Sequence, residues 1–465
     1  MGKIFGTDGV RDRAGRGPLA PDRVAALAAA AGTLLRRDSA LFAAPLPEAF
    51  RALGAPGSDP FGAGKVLVGR DTRASGPAIE EALVEGFRAA GIDVLRAGVL
   101  PTPGVACLTR LWGCALGVVI SASHNPAEDN GIKLIAPQGL KIPDAAEEAI
   151  EALLEDPSFR PAAPPRPGTA EDVSARTEDY PDFLARFLPR PLRGVTLAVD
   201  CAHGAASAFA RPLFERLGAR VLLAGASPDG SNINAGVGAL HPERVAELVR
   251  REKADLGVAF DGDADRAIFA DETGAVRDGE TVLALCGVEL RRKGRLPGDL
   301  VVSTVMANYG LERHLAAHGI RLARTKVGDR FVAEEMLRAG AVLGGEPSGH
   351  VLFFDAAPAG DGLLTTLRVL GVLAERGEPL SRSTFDKFPQ VLLNVPVRRK
   401  PPLEEVPAVA RAVENARREL GPDGRILVRY SGTEPLCRVM VEGPEAARVE
   451  RLAADLAETV RRELA

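Results

Sequence analysis

A short structural plan occurs three times along the chain and limits its fold more than any other feature. Its grammar is a helical stretch, a glycine at the helix end, short apolar strands and a polar loop. In the first copy Glu85–Arg88 leads to Gly91 and Ile92–Leu95, and Leu116–Ile120 then runs into Ser121-Ala122-Ser123-His124-Asn125-Pro126. In the second, Leu217-Gly218 leads to Ala219–Leu222, and Leu256–Phe260 runs into Asp261-Gly262-Asp263-Ala264-Asp265-Arg266. In the third, His318-Gly319 leads to Ile320–Leu322, and Ala341–Leu343 runs into Gly344-Gly345-Glu346-Pro347-Ser348-Gly349-His350. Each copy opens on a further apolar strand: Lys65–Gly69, Val195–Val199 and Leu300–Thr304. The copies are too long and too unequal for a solenoid, so tandem α/β domains are expected. Leu116–Ile120 reads as a buried parallel strand, and ligands of doubly wound sheets bind at the carboxyl ends of such strands.

Beyond Phe388-Pro389-Gln390 the pattern changes to strands at Val391–Val397 and Ile426–Val428, with amphipathic helices at Val406–Leu420 and Glu445–Leu464. The expected class is α/β: three tandem α/β domains of related topology plus a C-terminal α+β domain, around a central cleft. Their expected bounds are 1–170, 171–274, 275–387 and 388–465, with a Pro- and Ala-rich linker at 155–172. Residues 39–63 carry four prolines and three glycines and read as a surface insertion, a solvated loop in preference to a functional lid.

At 465 residues the chain is long enough for such a set. A net charge of −4 argues against a general nucleic-acid surface. No charge-free apolar run is long enough to span a bilayer, and no signal peptide is read at the start. Cys107, Cys114, Cys201, Cys286 and Cys437 are odd in number and lack C-x-x-C spacing, so they read as reduced core residues of a cytoplasmic protein.

Asp261, Asp263 and Asp265 put carboxylates at alternate positions of a tight loop, where they repel one another unless a cation is present. Mg²⁺ accepts a few carboxylates and keeps other positions for water or phosphate. A polar turn capped by aspartates is the plainer alternative, and it leaves the crowded charges unexplained. Ser123 is the candidate nucleophile or phosphate carrier; a phosphoserine adds about −1.5 to −2 charge and needs a cation beside it. His124 and Lys133 are the candidates to exchange the proton of an attacking hydroxyl. Glu346, Ser348 and His350 suit sugar hydroxyls, with a Gly/Pro turn as the alternative. Arg429, Ser431, Gly432, Thr433 and the following Arg438 suit a phosphate cradle, with a plain hairpin as the alternative. Thr7, Arg11, Arg70, Arg73, Lys326, Asp329 and Arg330 are secondary candidates that surface charge would also explain.

Phe5–Arg11, Ser121–Pro126, Asp261–Arg266, Gly345–His350 and Arg429–Pro435 occur in an order that resembles the α-D-phosphohexomutase family nearly end to end. Lys326–Val332 and Phe388–Val391 look like its glucosamine branch rather than its phosphomannomutase/phosphoglucomutase branch. The resemblance implies Ser123 as the phosphorylated serine and, with Asp261, Asp263 and Asp265, a ligand of one Mg²⁺. It implies Arg266 close to the substrate. It also implies sugar recognition by Glu346, Ser348 and His350, assisted by Lys326, and phosphate binding by Arg429, Ser431, Gly432, Thr433 and Arg438. The implied reaction interconverts glucosamine 6-phosphate and glucosamine 1-phosphate through a bisphosphorylated sugar that also serves as activator. The implied partner is a hexosamine phosphate, with no nucleic acid or membrane and with room for a homodimer. A phosphomannomutase/phosphoglucomutase, a non-catalytic phosphosugar-binding protein and a Mg²⁺-dependent phosphatase are the rival readings. Asp12, Ala264 and Pro347 depart from the pattern of relatives, and Ala enters positive φ at greater cost than the Gly often found at position 264.

Overall fold

Each polar loop joins a buried strand to one that returns beside it, and this arrangement recurs in three sheets. The computed structural model describes residues 4–6, 9–51, 60–61, 64–160, 164, 166–188, 190–431 and 435–465. The first sheet contains β1 (Val10–Arg13), β2 (Val66–Arg70), β3 (Val94–Val99), β4 (Leu116–Ile120), β5 (Asp129–Ile135) and β6 (Ala170–Asp172), in the order β1-β5-β4-β2-β3-β6. The second contains β7 (Thr196–Asp200), β8 (Arg220–Ala224), β9 (Leu256–Phe260), β10 (Ala267–Ala270) and β11 (Val276–Arg277), ordered β11-β10-β9-β7-β8. The third contains β12 (Leu300–Thr304), β13 (Arg321–Thr325), β14 (Leu343–Gly345) and β15 (Val351–Phe353), ordered β13-β12-β14-β15.

β4, β9 and β14 are parallel to β2, β7 and β12, and antiparallel to β5, β10 and β15. The expected parallel strand at Leu116–Ile120 is therefore parallel on one side only. The reason is length: the loops after β4, β9 and β14 are too short for a crossover, which needs a dozen residues or more, so the chain must return antiparallel. All residues of β4, β9 and β14 are buried, which suits their continuous apolar or glycine-containing sequences.

Several expected limits move. β6 pairs with β3, so the first sheet runs past residue 170 and uses the end of the supposed linker. β11 pairs with β10, so the second sheet runs past 274 to Arg277. β14 starts at Leu343 and takes in Gly344 and Gly345, because these pair with β12 and β15. The described part of 39–63 is not a solvated loop. Phe42 is buried in the first core, while Phe50 packs in the third core with Leu352 and stacks edge-on to Phe354, ring centroids 5.6 Å apart.

The chain forms two compact units, Met1–Met306 with Leu322–Thr384, and Ala307–Arg321 with Phe385–Ala465. The second is α+β: β16 (Gln390–Pro396), β17 (Arg425–Tyr430) and β18 (Leu436–Glu442) form an antiparallel sheet ordered β16-β18-β17. Val409, Leu420, Val449, Leu452 and Leu456 come from the apolar stripes of helices Pro407–Leu420 and Ala446–Leu464 and close its core. This unit also takes helix Tyr309–Ala317, tied by Tyr309 Oη to Pro422 O at 2.9 Å and Arg313 Nη1 to Asp423 Oδ1 at 2.7 Å. All five cysteines are buried, and among the described residues no helix is long and apolar enough to cross a membrane.

Candidate active site

Ser123 follows β4 in a left-handed backbone conformation, φ 52°, that non-glycine residues seldom adopt. It is buried, and its Oγ donates to Asp261 Oδ2 at 2.6 Å. His124 Nδ1 lies 3.3 Å from the same oxygen. The Ser123 amide donates to Ser121 Oγ at 2.9 Å, and Ser121 Oγ donates to Asp71 Oδ2 at 2.6 Å. The first and second sheets thus bring their strand-end loops into direct contact.

Asp261, Asp263 and Asp265 are all buried, with one carboxylate oxygen from each within 4.8 Å of the others. Oδ1 of Asp263 and Oδ1 of Asp265 are buried without a hydrogen-bond partner. Orphaned carboxylate oxygens converging with a serine hydroxyl fit a hard divalent cation, and this cluster could hold one. Burial and the neighbouring Asp265 and Asp263 carboxylates push Asp261 well above the usual carboxylate range. Burial also opposes ionisation of Asp265, but His350, Lys133 and Arg266 outweigh it and hold that carboxyl well below the range. The loop passes through Ala264 at φ 58°, a left-handed position that alanine enters at greater cost than glycine.

The cations ring this cluster. Lys133, on β5, is buried rather than solvated, its Nζ 3.9 Å from both Asp263 Oδ2 and Asp265 Oδ2. Arg266 Nε lies 4.0 Å from Asp261 Oδ2 and 3.9 Å from Asp265 Oδ1, and it is buried without a hydrogen-bond partner. His350 Nδ1 is 3.6 Å from Asp265 Oδ2. Burial works against its charge, but Asp265, with Asp329 and Glu346, lifts His350 to about 9. His124 goes the other way: burial first, then Arg266 and Arg11, lower it to about 4. One imidazole is held charged and the other neutral at neutral pH.

The Gly345–His350 loop docks on the carboxylate loop through a bridge between Arg266 and His350 and a bond from Ala267 N to Gly349 O at 3.1 Å. Gly349 sits at φ 90°, where an added Cβ would fall 2.5 Å from Ala267 O, so only glycine fits that approach. Ser348 Oγ is buried without a partner. Glu346 Oε1 accepts from Gly328 N at 3.0 Å, which joins the Lys326–Gly328 segment to the Gly345–His350 loop, and Lys326 itself is exposed. A cavity of about 400 Å³ opens beside Lys133, Asp265, Asp329, Arg330 and His350.

In the C-terminal unit Arg429 and Arg438 face each other across β17 and β18. Burial and the Arg438 charge lower Arg429 from its usual value. Ser431 is buried at the end of β17; Gly432 and Thr433 lie outside the described residues, as does Thr7. Of the secondary candidates, Arg70 is paired with Glu80 at 2.9 Å and Arg330 with Glu334 at 2.7 Å, while Arg73 is wholly buried behind the serine loop rather than surface charge. Sequence reasoning missed Thr102, whose Oγ1 donates to Asp263 Oδ2 at 2.6 Å, and Asn234, whose amide reaches the serine loop. Thr102 lies between two prolines just after β3, with no motif to mark it.

Sequence models of the phosphoglucomutase/phosphomannomutase family match along the chain: alpha/beta/alpha domain I at 49–161, domain II at 178–274, domain III at 278–391 and the C-terminal domain at 392–459. The chain belongs to this phosphohexomutase family and is an isomerase. Phosphoglucosamine mutase of Solidesulfovibrio magneticus is 46% identical over 100% of this chain and 99% of its own length. That of Symbiobacterium thermophilum is 46% identical over 100% of each chain. A crystal structure of a phosphoglucomutase/phosphomannomutase family protein from Burkholderia thailandensis matches with a TM-score of 0.77 at 25% identity, covering 99% of this chain and 97% of that one. Within the family, then, the chain sits in the phosphoglucosamine mutase branch.

Proposed function

We propose that this chain interconverts glucosamine 6-phosphate and glucosamine 1-phosphate by way of a phosphorylated Ser123. The observation that carries the reading is the Ser123 hydroxyl 2.6 Å from Asp261 inside a buried triad of carboxylates with orphaned oxygens. Phospho-Ser123 gives its phosphoryl group to the free sugar hydroxyl: the bond from phosphorus to Oγ breaks, a bond to the sugar oxygen forms, and a bisphosphorylated sugar results. The hydroxyl proton passes to a neutral base, either the His124 imidazole or Lys133 in its unprotonated amine form. His124, held neutral, has a ring nitrogen able to accept it, and Lys133 stands beside the carboxylates. The intermediate turns over and its other phosphate is returned to Ser123. The same bisphosphate recharges an enzyme that has lost its phosphate.

Mg²⁺ is the metal proposed for Asp261, Asp263, Asp265 and Ser123, where its charge would offset that of the phosphoryl group. Arg266, with Nε unpartnered, is proposed to meet the substrate beside that site. Glu346, Ser348 and His350, with Lys326, are proposed to read the sugar. Arg429, Ser431, Gly432, Thr433 and Arg438 are proposed to take the phosphate that is not reacting. The proposed setting is cytoplasmic, feeding amino-sugar nucleotide and cell-wall precursor synthesis, with a hexosamine phosphate as partner and a homodimer as the assembly. Rates on glucosamine, glucose and mannose phosphates, after priming with glucose 1,6-bisphosphate and with Ser123 phosphate followed by intact mass, test the reading. Preference for glucosamine phosphates supports it. Preference for mannose 1-phosphate reverses the sugar, and absence of both phosphoserine and turnover overturns the mechanism.

A further inference from the structure

We propose that Arg73 and Asn234 are positioning residues for phosphoryl transfer, holding the backbone of the serine loop so that the Ser123 oxygen points at the carboxylate triad. The proposal rests on Ser123 as the phosphate carrier. Ser123 occupies an unfavourable region of backbone space, and such a conformation persists only where the surroundings over-determine it. The restraint is on the page. A guanidinium has five N–H donors in a rigid plane and no acceptor. All are engaged here: Nε with Asp71 Oδ2 at 2.9 Å, Nη1 with Asp129 O at 3.0 Å and with Pro126 O, and Nη2 with Ser123 O at 3.0 Å and Asn125 O at 2.9 Å. The side chain is wholly buried, and Asp71, also buried, supplies its counter-charge.

Asn234 meets the same loop from the second α/β region. Its Nδ2 donates to Ser123 O at 2.9 Å and to Asn125 O at 3.0 Å, so both carbonyls receive two donors from separate parts of the chain. Asn234 is itself at φ 60°, a conformation Asn tolerates better than most residues. With the Ser123 amide held by Ser121 Oγ, both peptide groups flanking Ser123 are tied down and only its hydroxyl is presented to Asp261. The donors of Arg73 and Asn234 go to loop carbonyls and to Asp71, so each acts through the loop rather than on the substrate.

A lysine at position 73 keeps the charge but offers three tetrahedral donors, which cannot serve carbonyls and a carboxylate laid out in one plane. Asn234→Asp keeps the shape and the left-handed preference but turns an acceptor toward two carbonyls, and Asn234→Gly removes the donors without backbone strain. In each variant the melting temperature, the extent of Ser123 phosphorylation after priming with glucose 1,6-bisphosphate, kcat and KM are measured. Misplacing the donor by about 1 Å costs on the order of 100-fold in rate. The expected result is a kcat loss of about 100-fold in Arg73→Lys and about 10-fold in Asn234→Asp, with KM within about threefold of wild type. A variant that melts cooperatively near wild type with that split supports positioning. Wild-type kcat in both Asn234 variants, or a loss carried by KM alone, overturns it, and the Asn234 pair decides the matter if Arg73→Lys does not fold. Failure of wild-type enzyme to carry phosphate on Ser123 would instead defeat the reading on which the proposal rests.

Discussion

Ser123 and Ala264 stand on corresponding loops, after β4 and β9, and both take a positive φ, 52° and 58°. The restraints around them differ. In the serine loop the carbonyls of Ser123, Asn125, Pro126 and Asp129 are received by two side chains, Arg73 and Asn234. In the carboxylate loop the carbonyls of Gly262, Asp263 and Ala264 are received by the backbone amides of Ala205, Thr102 and Gly362, at 2.8, 3.0 and 3.0 Å. A loop held by backbone amides from three separate segments keeps its path when one side chain changes. A loop held by two side chains does not. The part that would carry the phosphate is thus the part most exposed to single substitutions, while the part that could hold a cation is built into the packing.

The largest expected effect tests whether the two loops make one site. Ser123→Ala leaves the loop's carbonyl contacts in place, so the fold and melting temperature stay near wild type while turnover falls by about 10⁴-fold or more. Residual activity within tenfold of wild type would separate the loops functionally. Next comes removal of the cation. Chelation should abolish turnover, with Mg²⁺ restoring it, and should lower stability, because the carboxylates then repel without compensation. A ligand at a hundred times its Kd contributes about 2.7 kcal/mol, a loss that melts with and without EDTA would resolve. An unchanged melting temperature would argue that the triad binds no cation in solution.

The comparison also explains what could be read from the residues. Ser123, Asp261, Asp263, Asp265 and His350 are legible because a chemically loaded loop directly follows a buried strand in each case. Arg73 could be named only as a secondary candidate and Asn234 not at all, because what they bind is backbone: Asn234 lies 111 residues from Ser123, and a carbonyl has no sequence signature. β1 and β6, with sequences VRDR and AED, carry charge where an alternating apolar pattern would announce a strand, and they are visible only once β5 and β3 are in place to pair with them. Phe42 and Phe50 were hidden by the prolines and glycines around them, although their burial decides where that segment goes. In the C-terminal unit the helical periodicity of 407–420 and 446–464 was strong enough to be read directly.

A smaller effect concerns the anchor of the carboxylate loop. Gly362 N, which holds Ala264 O, is the first residue of helix Gly362–Arg376, and Asp361 caps that helix through Leu364 N at 2.9 Å while accepting from Tyr180 Oη at 2.9 Å. Burial lifts Asp361 from 3.8 to about 6, against the opposing pull of those donors. A carboxyl raised in the folded state contributes stability that is fully present below 3.8 and is lost as pH rises through 6, about 3 kcal/mol for a shift of this size. Asp361→Asn keeps the cap and carries no proton. Relative to wild type its stability should therefore rise between pH 4 and 6 in urea melts, with turnover unchanged within about twofold because the amide that holds Ala264 remains. Parallel pH profiles of variant and wild type would remove the effect, and a fall in turnover would show that the cap side chain, not the amide, sets the loop.

The smallest expected effect bears most directly on the contrast. Ala264→Gly relieves a left-handed alanine, worth about 1–2 kcal/mol. It also removes a buried methyl, about 0.8 kcal/mol, and adds chain entropy to the unfolded state, about 0.4–1 kcal/mol. These terms nearly cancel, so stability should move by no more than about 1 kcal/mol. If backbone amides hold the loop, its path survives the exchange, and Mg²⁺ affinity by isothermal titration should stay within about twofold of wild type. A tenfold loss of Mg²⁺ affinity would place the restraint in the alanine methyl and make the carboxylate loop as dependent on single side chains as the serine loop is on Arg73.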